Sequence, residues 1–387
     1  MLLPYGRAGY PLDLEHDLAG RVVHVVTPPA APAVVPDLAT LLDEALRAPL
    51  GRPPLAQLVS AGARVTVIVS DATRREPRAA FLRALRRELP AVQWTIAIAT
   101  GTHGPADLAA LALPAELVRE ARIVNHDGHR PDELVGLGTT SRGTPVRVHR
   151  CVVETDLVIA TGCIRPHYFA GFGAGVKAIF PGLGEAAAIR INHRLKTELR
   201  ARAGIVDDNP CRLDLEEAVA LVPAPTFLLD GVCAPDGEIH AAVAGDPVLA
   251  FRHGADRARP WFAVRGPRAS VVIASDTLPV TRSLYQAAKI ASAVAPLVEP
   301  GGALVMVAEC ADGVEPLGTV NEAIFRIGVL PRLANGVTIY LVSGLPAAIV
   351  ERTLVTPAAS VAAVLAAHGG AVTIVPYASQ LIIEPTS

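Results

Sequence analysis

Four short stretches carry side chains able to move protons or hold anions. Arg74 lies in SDATRR (70–75), His103 in GTH (101–103), His126 in NHDG (125–128) and His167 in TGCIRPH (161–167). An imidazole exchanges protons near neutral pH, so two of them can serve as general acid and base. A guanidinium can grip a carboxylate through two parallel hydrogen bonds. Together they fit proton transfer on a small anionic substrate. Each also has a plainer reading: Asp71 or Thr73 caps the next helix, Gly101 and Gly162 turn the chain, and a lone loop histidine is more often structural. Their recurrence at the ends of successive apolar runs favours the functional reading.

The next stretch is RPHYFAGFGAGVKAIFPG (165–182). Gly171, Gly173 and Gly175 let the backbone approach a ligand closely, as a phosphate cradle does. The segment is not a GxxxxGK[ST] loop, because Ala178 follows Lys177, and its glycine spacing is not GxGxxG. Lys177 reads as a point charge for phosphate or as a nucleophile bonded to a cofactor. His193, among Ile191, Leu195 and arginines, reads by itself as a surface residue of a helix.

The elements that must position these groups follow from the apolar patterning. Residues 63–71, 92–101 and 121–127 read as strands, and 145–162 as two more. Helical spacing marks 78–89, a segment from 105 to about 122, and a long run over 184–204. A Gly/Pro-rich mixed region spans about 205–267. A second pattern follows, with strands at 268–276, 301–310, 336–344 and 371–378 and helices at 283–298 and 358–369. Strand–helix alternation predicts an α/β fold of two domains, each with a mostly parallel sheet flanked by helices. The expected division is 1–267, carrying the cofactor and acid/base residues, and 268–387, closing over the site. Ligands of such sheets bind beyond the carboxyl ends of the strands, where the four stretches lie.

The bulk numbers exclude several classes. The chain has 387 residues, is 51% hydrophobic and carries a net charge of −2. No basic block points to nucleic acid, and no apolar run reaches the roughly 18–20 residues of a membrane span. The N-terminus does not read as a signal peptide. Five scattered cysteines without a CxxC pair predict a reduced, cytoplasmic setting.

In their order along the chain, SDATR, GTH, RPHYFAGFGAGVKAIFPG, His193 and YQAAK (285–289) resemble the nickel-dependent lactate racemase family. The resemblance implies an isomerase, a racemase or epimerase of a small 2-hydroxy acid. It implies a nickel-pincer nucleotide, a pyridinium-3-thioamide-5-thiocarboxylic acid mononucleotide holding nickel, attached covalently at Lys177 and supplied by separate maturation enzymes. His193 would ligate the nickel. His103 and His167 would be the paired acid/base groups. Arg74, Tyr285, Gln286 and Lys289 would bind substrate. Asp71, Thr73, Gly171, Gly173 and Gly175 would surround the cofactor. The implied reaction passes hydride from Cα to the cofactor and back to the opposite face of a 2-keto acid. The motifs depart from the family at Arg75, Gly104, the Gly173-Ala174 pair and Val176, which leaves the particular 2-hydroxy acid open. Two other readings stand beside this one. A zinc-type metallohydrolase would use His103, His167 and His193 as ligands; a non-catalytic protein would simply bind a nucleotide cofactor. The zinc reading gives Lys177 and the glycines no role.

Overall fold

The computed structural model describes residues 1–89 and 91–386. The chain forms two compact units, one discontinuous (Met1–Ala30 with Phe262 onward) and one central (Ala31–Trp261). The discontinuous unit begins with β1 (Leu2–Tyr5), β2 (Ala8–Pro11) and β3 (Val23–Val25). The central unit runs α1 (Leu38–Arg47), β4 (Arg64–Ser70), α2 (Arg78–Glu88), β5 (Gln93–Ala99), α3 (Ala115–Glu120), β6 (Arg122–Asn125), β7 (Leu134–Thr139) and β8 (Pro145–His149). It continues through β9 (Leu157–Ile164), β10 (Pro166–His167), β11 (Gly171–Phe172), α4 (Ala186–Asn192), α5 (Pro210–Ala220), β12 (Thr226–Cys233), β13 (Ile239–Gly245) and α6 (Leu249–Phe262). The chain then returns to the first unit with β14 (Ala263–Gly266), β15 (Ala269–Ser275), α7 (Leu284–Val294), β16 (Val298–Val307), β17 (Thr338–Val342), α8 (Ala347–Val350), β18 (Thr356–Pro357), α9 (Val361–Ala367), β19 (Val372–Val375) and β20 (Ile382–Pro385).

The central sheet has the order β13-β12-β9-β4-β5-β6 and is parallel except for the β12–β13 pair. Val65, Val67 and Val69 of β4 alternate onto one face and pack against Leu42 and Leu46 of α1 and Phe81, Leu82 and Leu85 of α2. The other unit's sheet, β18-β17-β16-β15-β19-β3, is wholly parallel. Val272 and Ala274 of β15 pack on the side of α7, while Val271 and Ile273 pack on the side of α9. Burial on both faces explains why these strands read as continuous apolar runs. The α/β class with two mostly parallel sheets is therefore as expected.

Three expectations differ in detail. Residues 1–30 lie with the C-terminal unit, because β3 extends its sheet beside β19; a three-residue strand carries too little pattern to announce its partner. The helix expected over 105–122 is only a 3₁₀ turn (Leu108–Leu111) and α3. Ala112 is left-handed at φ 51°, and Pro114 disfavours helical backbone before it. The long helix expected over 184–204 stops at Asn192, followed by a 3₁₀ turn, His193–Thr197. Leu195 and Ala201 instead turn in to pack with Phe169, Ala170 and Cys211. The mixed region 205–267 holds α5, β12, β13 and α6, all outside the expected elements.

Among the described residues, no helix is long and apolar enough to cross a membrane.

Candidate active site

Strands β9, β4 and β5 lie side by side, and connections depart in opposite directions from β4 and β9. Such a switch point opens a crevice beyond the carboxyl ends. The order brings TGCIRPH, SDATRR and GTH next to one another, which no spacing along the chain requires.

At the end of β4, buried Asp71 meets the exposed His103, with Oδ2 2.8 Å from Nδ1. Its other oxygen accepts from Thr73 N (3.0 Å) and Thr73 Oγ1 (2.5 Å). Burial alone would raise the Asp71 carboxyl; the hydrogen bonds from His103 and Thr73, with the charge of Arg74, outweigh it and hold the group below its ordinary value. An ionised carboxylate on Nδ1 makes Nδ1 the donor, so Nε2 of His103 is the nitrogen left to exchange protons. Two residues outside the expected set stiffen this loop. Glu76 accepts from Ser70 N (2.7 Å) and from Thr161 Oγ1 on β9 (2.6 Å). Arg78 donates to the carbonyls of Ser70 (2.6 Å), Asp71 and Arg74 (2.9 Å). The Arg74 side chain is exposed and makes no ion pair among the described residues. Its charge is felt at both Asp71 and Lys177, which links the two halves of the site.

Beyond β9, the β10–β11 pair sets His167 opposite Gly171. His167 Nδ1 accepts from Ala170 N at 3.3 Å, so the neutral ring carries its proton on Nε2. One side chain then gathers the remaining candidates: Phe169, only 3% exposed. Its ring centroid lies 4.6 Å from that of His167 and 4.9 Å from that of His193, both edge-on. Lys177 Nζ lies 5.5 Å from the same centroid. In the sequence, Phe169 is one aromatic among several, and nothing marks it.

Lys177 has no hydrogen-bonded acceptor or carboxylate among the described residues. Burial, and then the charges of Arg212 and Arg74, push its amine down to about 7, so a substantial neutral, nucleophilic fraction exists near neutral pH. His193 is pushed down to about 3, by burial first and then by Lys177. It is a neutral imidazole, and its Nδ1 is buried without a hydrogen-bond partner among the described residues. The Ile189 carbonyl one turn back favours the protonated ring but does not reach hydrogen-bond geometry. A neutral ring with an unsatisfied buried nitrogen suits a metal ligand, not the surface residue that its neighbours in sequence indicate. The preceding residue holds the helix end in place: Asn192 Nδ2 donates to buried Asp214 (2.7 Å), which also accepts from Thr140 (2.5 Å) and Thr144 (2.7 Å).

The glycines prove to serve different purposes. Gly171 (φ +75°) and Gly175 (φ +66°) are required by the fold: a Cβ would meet the Ile205 carbonyl oxygen at 2.0 Å or Phe251 at 2.6 Å. At Gly173 a Cβ would meet only carbonyl oxygens at 3.8 Å, so this backbone has space beside it. The loop is braced from the region that shows no pattern in sequence. Fully buried Arg212 lies over Phe251 (3.9 Å) and donates to the carbonyls of Ala170 (3.4 Å), Phe172 and Ala174 (3.5 Å). Asp230 accepts from Gly175 N at 2.8 Å.

Not every candidate joins. His126 is fully buried, and its Nε2 is bound to the Gly184 carbonyl at 3.0 Å, which makes it a structural histidine. Among the described residues, no three His, Cys, Asp or Glu side chains form a metal cage, so His103, His167 and His193 are not a zinc set. Tyr285, Gln286 and Lys289 lie on α7 of the discontinuous unit, where Lys289 Nζ donates to Gln286 Oε1 at 2.5 Å.

The chain is similar to several known proteins. The family model described as the lactate racemase N-terminal domain matches residues 5–204. A lactate racemase of Thermoanaerobacterium thermosaccharolyticum is 29% identical over 321 residues, 80% of this chain and 74% of that protein. One from Lactiplantibacillus plantarum is 28% identical over 281 residues, 70% and 66% of the two chains. The apoprotein structure of the Thermoanaerobacterium enzyme superposes with a TM-score of 0.85 over 99% of both chains at 24% identity. A Thermotoga maritima protein of known structure gives 0.63 over 91% of this chain and all of its own, at 14% identity. These superpositions carry the fold.

Proposed function

From the premise that this chain belongs to the lactate racemase family, we propose that it racemises lactate or a closely similar 2-hydroxy acid with the aid of a nickel-pincer nucleotide. The observation that carries the reading is the pairing of a lysine amine without an anionic partner and an imidazole with an unsatisfied buried nitrogen, both against one phenyl ring.

Lys177 would bond covalently to the nucleotide and His193 would ligate its nickel through an imidazole nitrogen. The open backbone at Gly173 fits close approach by such a group, with Thr73, Gly171 and Gly175 shaping its surroundings. When bound, the nucleotide supplies a two-electron acceptor and donor for the substrate's Cα hydrogen. The chain's own residues supply the rest. Arg74 holds the carboxylate. One histidine takes the hydroxyl proton as the alcohol becomes a ketone, and the other delivers a proton to the oxygen as the ketone is reduced at its opposite face. His103 and His167 share this work from different strand ends, each the base for one enantiomer and the acid for the other. Asp71 keeps the His103 ring in one tautomer and supports positive charge on it, as a carboxylate behind a catalytic imidazole does. Tyr285, Gln286 and Lys289 are assigned to substrate binding, a role that Lys289→Ala tests through KM.

The test is co-expression with the cofactor's maturation enzymes, then intact mass and a chirality assay across a panel of 2-hydroxy acids. The reading expects an adduct that maps to Lys177 and interconversion of D- and L-forms of at least one acid. An adduct-bearing chain that racemises no member of the panel, or a Lys177→Ala variant that keeps the adduct, would sink it.

A further inference from the structure

We propose that Phe169 is a positioning residue that fixes His167, His193 and Lys177 relative to one another; the inference rests on the racemase reading above. A phenylalanine that only fills a core is surrounded by aliphatic groups. This one belongs to a small cluster with Ala170, Ala201, Cys211, Tyr168 and Leu195, apart from the main core of the central sheet. The rest of its ring contacts polar groups. His167 meets it at an interplanar angle of 84° and His193 at 67°, with Lys177 Nζ 5.5 Å from its centroid. Tyr168 adds a third edge-on contact at 4.7 Å and 88°. Aromatic pairs favour this edge-to-face arrangement beyond the gain from burial, so the ring resists rotation of both imidazoles.

The ring is itself held from behind. The Phe169 carbonyl accepts from buried Asn209 (2.9 Å), and the next carbonyl, of Ala170, accepts from Arg212 (3.4 Å). Ala170 N donates to His167, which sets the imidazole's azimuth as the ring sets its tilt. The proton-exchanging nitrogen, the metal-binding nitrogen and the attachment amine thus share one rigid spacer with only two side-chain torsions. Among the described residues Arg74 makes no contact with the ring, so holding of the substrate carboxylate is separable from this function.

The test uses Phe169→Leu, which keeps volume but loses the flat face, and Phe169→Tyr, which keeps the face. In the loaded enzyme, Phe169→Leu should lower kcat by about 10–100-fold, the scale of a displacement on the order of 1 Å. KM should stay within about twofold, because uniform substrate binding is untouched. Phe169→Tyr should restore most of kcat. In the cofactor-free full chain, the ring-proton NMR signals of His167 and His193 should lose their ring-current displacement in Phe169→Leu and keep it in Phe169→Tyr. Should Phe169→Leu fail to fold, Phe169→Met fills the same space without a flat face and is read in the same ways. Wild-type kcat together with imidazole signals that keep their wild-type positions in a folded Leu or Met variant overturns the proposal. That outcome leaves the racemase reading standing, whereas a chain inactive on every acid still yields the NMR result.

Discussion

Two fully buried aspartates, one in each unit, show how differently the two α/β sheets use polar groups. Asp276, after β15, has both oxygens occupied: Thr277 N donates at 2.7 Å, Ser379 N at 2.8 Å and Gln380 Nε2 at 3.0 Å. Asp230, on β12, receives one bond from Gly175 N, and its Oδ1 has no partner among the described residues. Burial pushes the Asp230 carboxyl well up, against the pull of the Gly175 hydrogen bond. The first aspartate is a structural knot. The second keeps one oxygen without a partner among the described residues, and His193 Nδ1 is likewise unpartnered elsewhere in the central unit. Since folded chains satisfy nearly all such groups, each such exception calls for an explanation beyond packing.

The sharpest way to break this contrast is to remove the groups expected to do chemistry. His103→Ala and His167→Ala should each cut racemisation about 10²–10⁴-fold in both directions, read by a chirality assay starting from each enantiomer. Near wild-type turnover by either would refute the two-base scheme and leave the central unit's polar groups without a catalytic explanation.

Next comes pH. His149 is held neutral in the central unit: burial, and then the neighbouring His126, push it down to about 4, and its Nδ1 accepts from Cys151 N at 3.1 Å. Its folded value lies below the ordinary 6.5, so the unfolded chain binds more protons between these two limits. Stability therefore falls as pH drops from about 6.5 to about 4, by on the order of 3 kcal/mol from this group. Urea midpoints across that window should be flatter in His149→Gln; equal slopes would show that the imidazole is not held neutral.

The aspartates can be compared directly. Asp276→Asn turns an amide toward a donor built for a carboxylate and should cost about 2 kcal/mol. Asp230→Asn removes a charge that burial disfavours and should cost less than about 1 kcal/mol. Denaturant titration of both variants decides, and an equal or reversed cost would dissolve the contrast.

The smallest expected effect lies three residues before Lys177. Ala174 is held at φ 64°, ψ −159°, a region almost reserved for glycine. Ala174→Gly should relieve about 1 kcal/mol and raise Tm by a degree or more. A lower Tm would mean that the alanine methyl, and not the backbone, governs this position.

The sequence by itself determined the strands over 63–71, 92–101, 121–127, 145–162, 268–276, 301–310, 336–344 and 371–378, the helices over 78–89, 283–298 and 358–369, and the identity of the chemical groups. Long valine and isoleucine runs such as 63–71 are local signals of doubly buried strands. A lysine among glycines announces its oddity without any partner in view. Through the family resemblance, the motifs also singled out His193 as a proposed metal ligand, whereas its immediate neighbours imply a surface residue. The tertiary structure decided what depends on contacts between distant residues. It paired Asp71 with His103, 32 residues away, and separated His126 from the site by burying it against Gly184. It gave Gly171 and Gly175 packing reasons and left Gly173 open. It drew Arg212 and Asp230 from a stretch without readable pattern to brace the glycine loop, and it ended the helix at Asn192. It also set Phe169 between the key groups. A hydrophobic pattern records that a side chain leaves water but not what it will touch, so an aromatic spacer and a core phenylalanine are the same letter until the chain has folded.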